Sequence, residues 1–219
     1  MTGGPGAIGV ASAGIGVVGA SFGMARYGYG LLLPDIRASY GLTSGALGLI
    51  AAGSYLACLA ASAAVGPLAA RLGARRVVVL GGCCATSGML LAGLSGTPLV
   101  LALGVLVGGA SSGLVFPPFG DAVEALVAPA RRARTLAAVS SGTGYGVAIA
   151  VPIALFVGSA WRSAWLAFAA VSMLVTLWAA RVLPTAGTRP TPRELPRISW
   201  SWLVCPRSGP CSSARCCSG

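Results

Sequence analysis

The chain has 219 residues, of which 56% are hydrophobic and only 9% are charged, whereas soluble domains carry roughly 25% charged residues. All 15 basic residues are arginines and 4 residues are acidic, which gives a net charge of +11. The arginines lie between long apolar blocks and form no single solvated patch, which excludes a nucleic-acid-binding domain and indicates an integral membrane protein.

Six apolar blocks have about the length that a helix needs to cross the hydrocarbon core, roughly 20 residues. They comprise residues 7–33, 42–64, 77–94, 99–119, 136–157 and 165–182. The second to sixth blocks contain almost no charge, whereas a soluble helical protein needs polar helix faces. The predicted fold is therefore all-α, a polytopic bundle of six transmembrane helices over residues 1–183. The first block is too long for a signal-peptide core and is expected to be retained.

The first block contains Arg26, a permanent cation in an otherwise apolar helix. One interpretation is that Arg26 faces a central cavity and attracts the anionic group of a solute. Tyr29, Tyr55 and Tyr145 would then be its hydrogen-bond or cation–π neighbours. The other interpretation is that its long side chain extends to the extracytoplasmic interface. Because Arg26 shares a predicted helix face with glycines, including Gly23, we favour the cavity.

The arginines between the blocks give the predicted orientation. Arginines cluster after the second, fourth and sixth blocks, at positions Arg71, Arg75, Arg76, Arg131, Arg132, Arg134 and Arg181. The loops after the first, third and fifth blocks contain only Arg37 and Arg162. By the positive-inside rule, both termini are predicted to lie in the cytoplasm of a protein of the inner or plasma membrane.

Glycines spaced four residues apart predict close helix contacts, since small residues let helix backbones approach in lipid. The pairs are Gly19 with Gly23, Gly104 with Gly108, Gly109 with Gly113 and Gly142 with Gly146. The first block reads GASFG at residues 19–23 and the fourth reads GASSG at 109–113, a weak internal repeat. Two three-helix units of this kind suit a transporter built from inverted repeats.

The loop after the second block reads GPLAARLGARR, residues 66–76. It resembles the signature loop between the second and third helices of the major facilitator superfamily. The matching positions are Gly66, Leu68, Arg71, Gly73, Arg75 and Arg76, while Ala70 stands where the family usually has an aspartate. In that family the loop is implicated in gating. The resemblance makes Asp121 and Glu124, three residues apart on the fourth predicted helix, candidate partners of the loop arginines. The alternative is that both groups are solvated interface charges.

The segment FGMARYGYGLLLP, at residues 22–34, resembles the first helix of YbfB-type members of the same superfamily. The superfamily has two six-helix halves, and this chain corresponds to the N-terminal half. The resemblance implies a secondary transporter that moves a small solute across the bilayer by alternating access. A second six-helix half, or another copy as a homodimer, would be its partner. No cofactor, metal or enzymatic activity is predicted, because the apolar blocks contain no histidine, acidic pair or nucleophile with its base.

Residues 184–219 differ in composition, being rich in Pro, Arg, Ser, Trp and Cys. They are predicted to be a disordered cytoplasmic linker and tail, and our hypothesis is that the C-terminus is truncated or frameshifted. A metal site is the alternative for the tail cysteines Cys205, Cys211, Cys216 and Cys217. It is disfavoured because the tail has no paired C-x-x-C spacing and no histidine. The competing functional interpretation is a non-transporting fragment or a membrane subunit with a role in assembly.

Overall fold

The computed structural model describes residues 5–157 and 160–183 of the chain. Every element in these two ranges is helical, so the all-α prediction is confirmed. The elements are α1 (Pro5–Val18), a π-helical segment (Gly19–Arg26), α2 (Tyr27–Tyr40), α3 (Ser44–Leu72), α4 (Ala74–Gly93), α5 (Pro98–Leu126), α6 (Pro129–Val157) and α7 (Trp161–Val182). They belong to one compact unit. The predicted linker and tail, 184–219, lie outside the described residues.

The five helices α3 to α7 are long and apolar enough to cross a membrane by length and composition. The first predicted block, 7–33, falls instead on three shorter elements, α1, the π segment and α2. These elements follow one another directly, because the junction residues Val18 and Tyr27 both have right-handed helical backbone angles. The structure thus supports five candidate crossings, and the sixth stays a prediction.

Short connections separate the later helices and make sequence neighbours antiparallel. Gly41 ends α2 with φ of 61°, a left-handed angle that glycine adopts without strain. The hydroxyl of Thr43 caps α3 by accepting the Ala46 N–H at 3.2 Å. Thr97 caps α5 in the same way, accepting the Val100 N–H at 3.4 Å. The sequence therefore specifies where these helices begin and end.

Close helix contacts occur at all four predicted glycine pairs, which confirms that prediction. A Cβ atom added at Gly19 would lie 2.9 Å from the Gly142 carbonyl oxygen, so the π segment lies directly against α6. A Cβ atom at Gly104 would lie 2.7 Å from the Gly88 carbonyl oxygen, which joins α5 to α4. One at Gly109 would lie 2.6 Å from the Ser54 carbonyl oxygen, which joins α5 to α3.

Helices α4 and α5 are central to the bundle, while α3 and α6 are peripheral. The buried share of the apolar stretch is 56% in α4 and in α5, but only 11% in α3 and 22% in α6. Hydroxyl groups join α4 to α7, because the side chain of Thr86 donates to Ser172 Oγ at 3.0 Å. The outer sides of α3 and α6 expose large apolar residues, such as Leu49 at 75% and Phe156 at 92%. Surfaces of this kind suit contact with lipid or with other membrane helices.

Candidate functional site

Arg26 is the last residue of the π segment, and its guanidinium group is directed toward α3. The Cζ atom lies 4.0 Å from the centroid of the Tyr55 ring, within the range of a cation–π interaction. It lies 5.8 Å from the centroid of the Phe22 ring. Its Nη1 atom donates to the Cys58 sulfur at 3.5 Å. The cation is therefore partly buried and held by an aromatic ring and a thiol.

No carboxylate pairs with Arg26 among the side chains that the structure describes. A partly buried cation of this kind keeps most of its hydrogen-bonding capacity, because a guanidinium group carries five N–H donors. The site is therefore chemically suited to an anionic group supplied from outside the described helices.

A pocket of about 230 Å³ opens beside the Arg26 guanidinium group. Residues from the π segment, α2, α3 and α5 line it, namely Arg26, Tyr27, Tyr29, Gly30, Leu33, Ala51, Ser54, Tyr55 and Val105. The Tyr29 side chain is buried, and its hydroxyl donates to the Leu47 carbonyl oxygen at 3.1 Å. The Tyr55 side chain is 53% exposed. The pocket thus combines one cation with aromatic and apolar walls.

Three of the four predicted cavity residues, Arg26, Tyr29 and Tyr55, line this pocket together. The fourth, Tyr145, is absent from the lining and is 61% exposed on α6. The structure therefore does not bring it to Arg26, and its role stays a prediction.

The glycines near Arg26 divide between two roles. Gly23 packs against α6, whereas Gly30 lines the pocket and has nothing within 4 Å of an added Cβ atom.

The π segment places Arg26 at this position. The N–H of Tyr27, directly after Arg26, is shared between the carbonyl oxygens of Met24 and Phe22, so the hydrogen-bond register changes there. π-helical turns within α-helices are rare and occur frequently at functional sites. The segment reads GASFGMAR, and no residue pattern in it marks the change of register.

Cys58 and Ser112 also belong to this site, although the sequence does not predict them there. Cys58 lies on α3 one turn after Ser54 and Tyr55, and Ser112 lies on α5. The Ser112 oxygen is 3.4 Å from the Cys58 sulfur. Cysteine within an apolar block usually acts as a small buried hydrophobe, so the sequence assigns Cys58 no polar role. Its spacing of three residues from Tyr55 was the only available signal.

The predicted gating loop forms the tight connection between α3 and α4. Gly73 has φ of 84°, and its N–H donates to the Ala69 carbonyl oxygen at 2.8 Å. The Arg75 side chain donates to the Ala180 carbonyl oxygen in the last turn of α7. A cation at a helix C-terminus also interacts favourably with the helix dipole. The loop is thus attached to α7 through a backbone carbonyl group.

The other loop residues make no such contact. Arg71 and Arg76 are exposed, and Gly66 lies within α3 with open space around it. The predicted partners Asp121 and Glu124 have side chains outside the described residues, so an ion pair with the loop stays a prediction. The alternative metal site in the tail also falls on residues that the structure does not describe.

These observations define a class: a polytopic α-helical membrane protein with a cationic pocket between its first helices. Residues 15–211 match the Major Facilitator Superfamily. Monocarboxylate transporter 11 of Homo sapiens is 32% identical over 194 residues, which cover 85% of this chain and 40% of that protein. Monocarboxylate transporter 11 of Mus musculus is 32% identical over 182 residues, covering 81% and 40% respectively.

The chain belongs to the Major Facilitator Superfamily, because the family match covers most of its length. It is accordingly a multi-pass membrane protein of a transporter family, as the sequence predicted. It spans about two fifths of the length of the curated relatives that it matches.

Proposed function

We propose that this chain forms the N-terminal half of a secondary transporter that moves a small anionic solute by alternating access. The observation that carries the proposal is Arg26, a partly buried cation that borders an open pocket and pairs with no described carboxylate. Charged residues within membrane helices are costly and mark transport pathways. The pocket volume of about 230 Å³ suits a solute smaller than drug-sized ligands, whose pockets span roughly 300–1,000 Å³.

The solute class that we propose is a small carboxylate. A guanidinium group binds a carboxylate through two parallel N–H donors, and the aromatic walls suit a short apolar chain. The names of the curated relatives, monocarboxylate transporters, support the same class.

The proposed architecture has six crossings in two three-helix repeats, which is the half-transporter arrangement. Two observations support it. First, α1, the π segment and α2 follow one another directly, so that together they can form the proposed sixth crossing. Second, the GASFG glycines contact the helix of the fifth block, while the GASSG glycines contact that of the second block. This reciprocal pattern is what exchanging two equivalent repeats would produce.

Orientation, branch and partner are further parts of the proposal. The alternating arginine clusters favour cytoplasmic termini in an inner or plasma membrane. The first-helix resemblance favours the YbfB-type branch. A complete alternating-access site needs a second six-helix unit, either a separate half or a second copy of this chain, and the exposed sides of α3 and α6 are available for it.

Uptake into proteoliposomes tests the proposal. The purified chain is reconstituted, and uptake of radiolabelled acetate, lactate, pyruvate and benzoate is compared with uptake of uncharged and cationic solutes of similar size. Arg26→Gln is expected to abolish carboxylate uptake. Arg37→Gln, which removes an exposed charge from the neighbouring α2, is the matched control and is expected to retain it. Uptake that is equal in both variants would contradict the proposal. Uptake that is absent in the wild-type chain would rule out transport by copies of this chain alone and favour a separate second half, a non-transporting fragment or an assembly subunit.

A further inference from the structure

Cys58 is the point where three elements of the site meet. Its sulfur accepts an N–H from Arg26 Nη1 at 3.5 Å and lies 3.4 Å from Ser112 Oγ. Arg26 comes from the π segment, Cys58 from α3 and Ser112 from α5. The Ser112 side chain is fully buried, and the Cys58 side chain is partly exposed. The thiol therefore connects the cation of the pocket to a buried polar group of the central helix.

Two donors are directed at the same sulfur atom. The Ser112 hydroxyl is shared between the Gly109 carbonyl oxygen at 2.7 Å and the Cys58 sulfur at 3.4 Å. Arg26 Nη1 donates to the sulfur at 3.5 Å. Cys58 is thus the acceptor between a buried hydroxyl group and the guanidinium group, which gives the thiol a defined position.

Backbone packing fixes the position of the sulfur. A Cβ atom added at Gly113 would collide with the Cys58 carbonyl oxygen and lie 2.9 Å from the Ala61 Cβ atom. Gly109 makes the equivalent close approach to Ser54, one turn earlier on α3. Helices α3 and α5 therefore pack backbone to backbone here, and the two glycines fix the position of Cys58 relative to α5.

A thiol at this position has one chemical property that a carboxylate lacks. It is a weak acceptor and carries no charge in its protonated form, so it orients one N–H of Arg26 without neutralising the cation. The remaining donors of the guanidinium group stay available to a ligand in the pocket. An aspartate at the same position would instead form an internal ion pair and compete with any bound anion.

We infer that Cys58, held by Ser112, is a positioning residue that orients the Arg26 guanidinium group and preserves the pocket's selectivity for anions. This inference rests on the proposed function, because it assigns the Arg26 pocket to an anionic ligand. Cys58 and Ser112 lie outside the pocket lining and act only through Arg26.

The first test needs no transport activity. In a chain whose other six cysteines are replaced by serine, Cys58 is labelled with an anionic and with a cationic methanethiosulfonate. Arg26→Gln is expected to lower the ratio of anionic to cationic labelling rates at least about tenfold, or 1.4 kcal/mol. Arg37→Gln is the control and is expected to leave the ratio unchanged. An equal ratio in both variants, or no labelling of Cys58, would overturn the contact between thiol and cation.

The second test compares substitutions at Cys58 by the apparent KM for carboxylate uptake. Cys58→Ser retains a donor and an acceptor, and we expect a change in KM below about threefold. Cys58→Asp is expected to raise KM at least about tenfold, whereas Cys58→Asn, which has the same size and no charge, is not. Equal effects of Asp and Asn would show a steric role and overturn the inference.

The two tests separate the inference from the proposed function. A wild-type chain that takes up no carboxylate but shows the Arg26-dependent labelling ratio would refute transport by this chain alone and support the contact. Carboxylate uptake that needs Arg26 but is insensitive to Cys58→Asp would support transport and refute the role of Cys58. Elution as a single species in size-exclusion chromatography is required of every variant, and Cys84→Ser, away from Arg26 on α4, controls for thiol loss.

Discussion

Gly23 in the π segment and Gly146 in α6 bring two helix backbones into direct contact: a Cβ atom added at Gly23 would lie 2.5 Å from the Gly146 Cα atom. In lipid such contacts matter more than in water, since no hydrophobic force drives one helix against another. The contact also lies within one turn of Arg26. The stability of the bundle and the geometry of the pocket therefore depend on the same small residues.

Gly146→Ala is expected to destabilise the protein by about 1–3 kcal/mol, the usual cost of overpacking. A methyl group there would collide with the Gly19 backbone. Gly144→Ala is the matched control, because that position lies on the same helix, is exposed and has nothing within 4 Å. Thermal unfolding in detergent measures both. Equal midpoints for the two alanine variants would show that α6 moves away at little cost.

Tyr55→Leu is expected to weaken carboxylate binding two- to fivefold, because it removes the ring that lies 4.0 Å from the Arg26 Cζ atom. An exposed cation–π interaction contributes about 0.5–1 kcal/mol, which corresponds to that range. Tyr55→Phe keeps the ring and is expected to retain affinity. The apparent KM for uptake of the carboxylate with the highest rate is the measurement. If Tyr55→Phe lowers carboxylate affinity as much as Tyr55→Leu does, the effect is due to the hydroxyl group and not to the ring.

Thr86 and Ser172 are expected to couple energetically, since their hydroxyl oxygens lie 3.0 Å apart between α4 and α7. Hydrogen bonds between membrane helices average about 0.6 kcal/mol in double-mutant cycles. The cycle consists of Thr86→Val, Ser172→Ala and the double variant, with free energies of unfolding measured by denaturant titration in mixed micelles. Strictly additive effects would show that the two hydroxyls find other partners.

Arg75→Gln is expected to lower the free energy of unfolding by about 1.5 kcal/mol, the low end for a hydrogen bond to a charged group. The reason is its bond to the Ala180 carbonyl oxygen at the end of α7. The neighbouring Arg76→Gln removes the same charge from an exposed side chain and serves as the control. The same denaturant titration compares the two. A larger loss for Arg76 would contradict the attachment of the loop to α7.

Patterns that repeat along the chain were predictable. The helical class followed from block length, and the close contacts followed from the four-residue spacing of glycines such as Gly104 and Gly108. These features arise from properties that the residues carry themselves, namely hydrophobicity and the absence of a side chain. Arg26, Tyr29 and Tyr55 also line one pocket, while their role in binding a solute stays a prediction.

The partners of the charged groups were not predictable. The contact of Arg75 is with a backbone carbonyl group at Ala180, which any residue type provides, so the sequence contains no sign of it. Cys58 lies 32 residues from Arg26, and its neutral side chain gives no hint of a polar role. The π geometry of Gly19–Arg26 is likewise a property of hydrogen-bond register, which Ala and Gly leave open.

The π segment also limits which insertions and deletions this chain can tolerate. A π turn accommodates one residue more than the α-turn it replaces, so removing a single residue between 19 and 25 would restore regular α geometry. Because the widened turn holds the extra residue locally, α1 and α2 would keep their rotation about the helix axis after such a deletion. The same deletion in a regular α-helix would turn everything on one side by about 100° relative to the other, the angle per residue at 3.6 residues per turn. A one-residue deletion is therefore expected to be tolerated better in the π segment than in α3, where it would turn Cys58 away from Arg26.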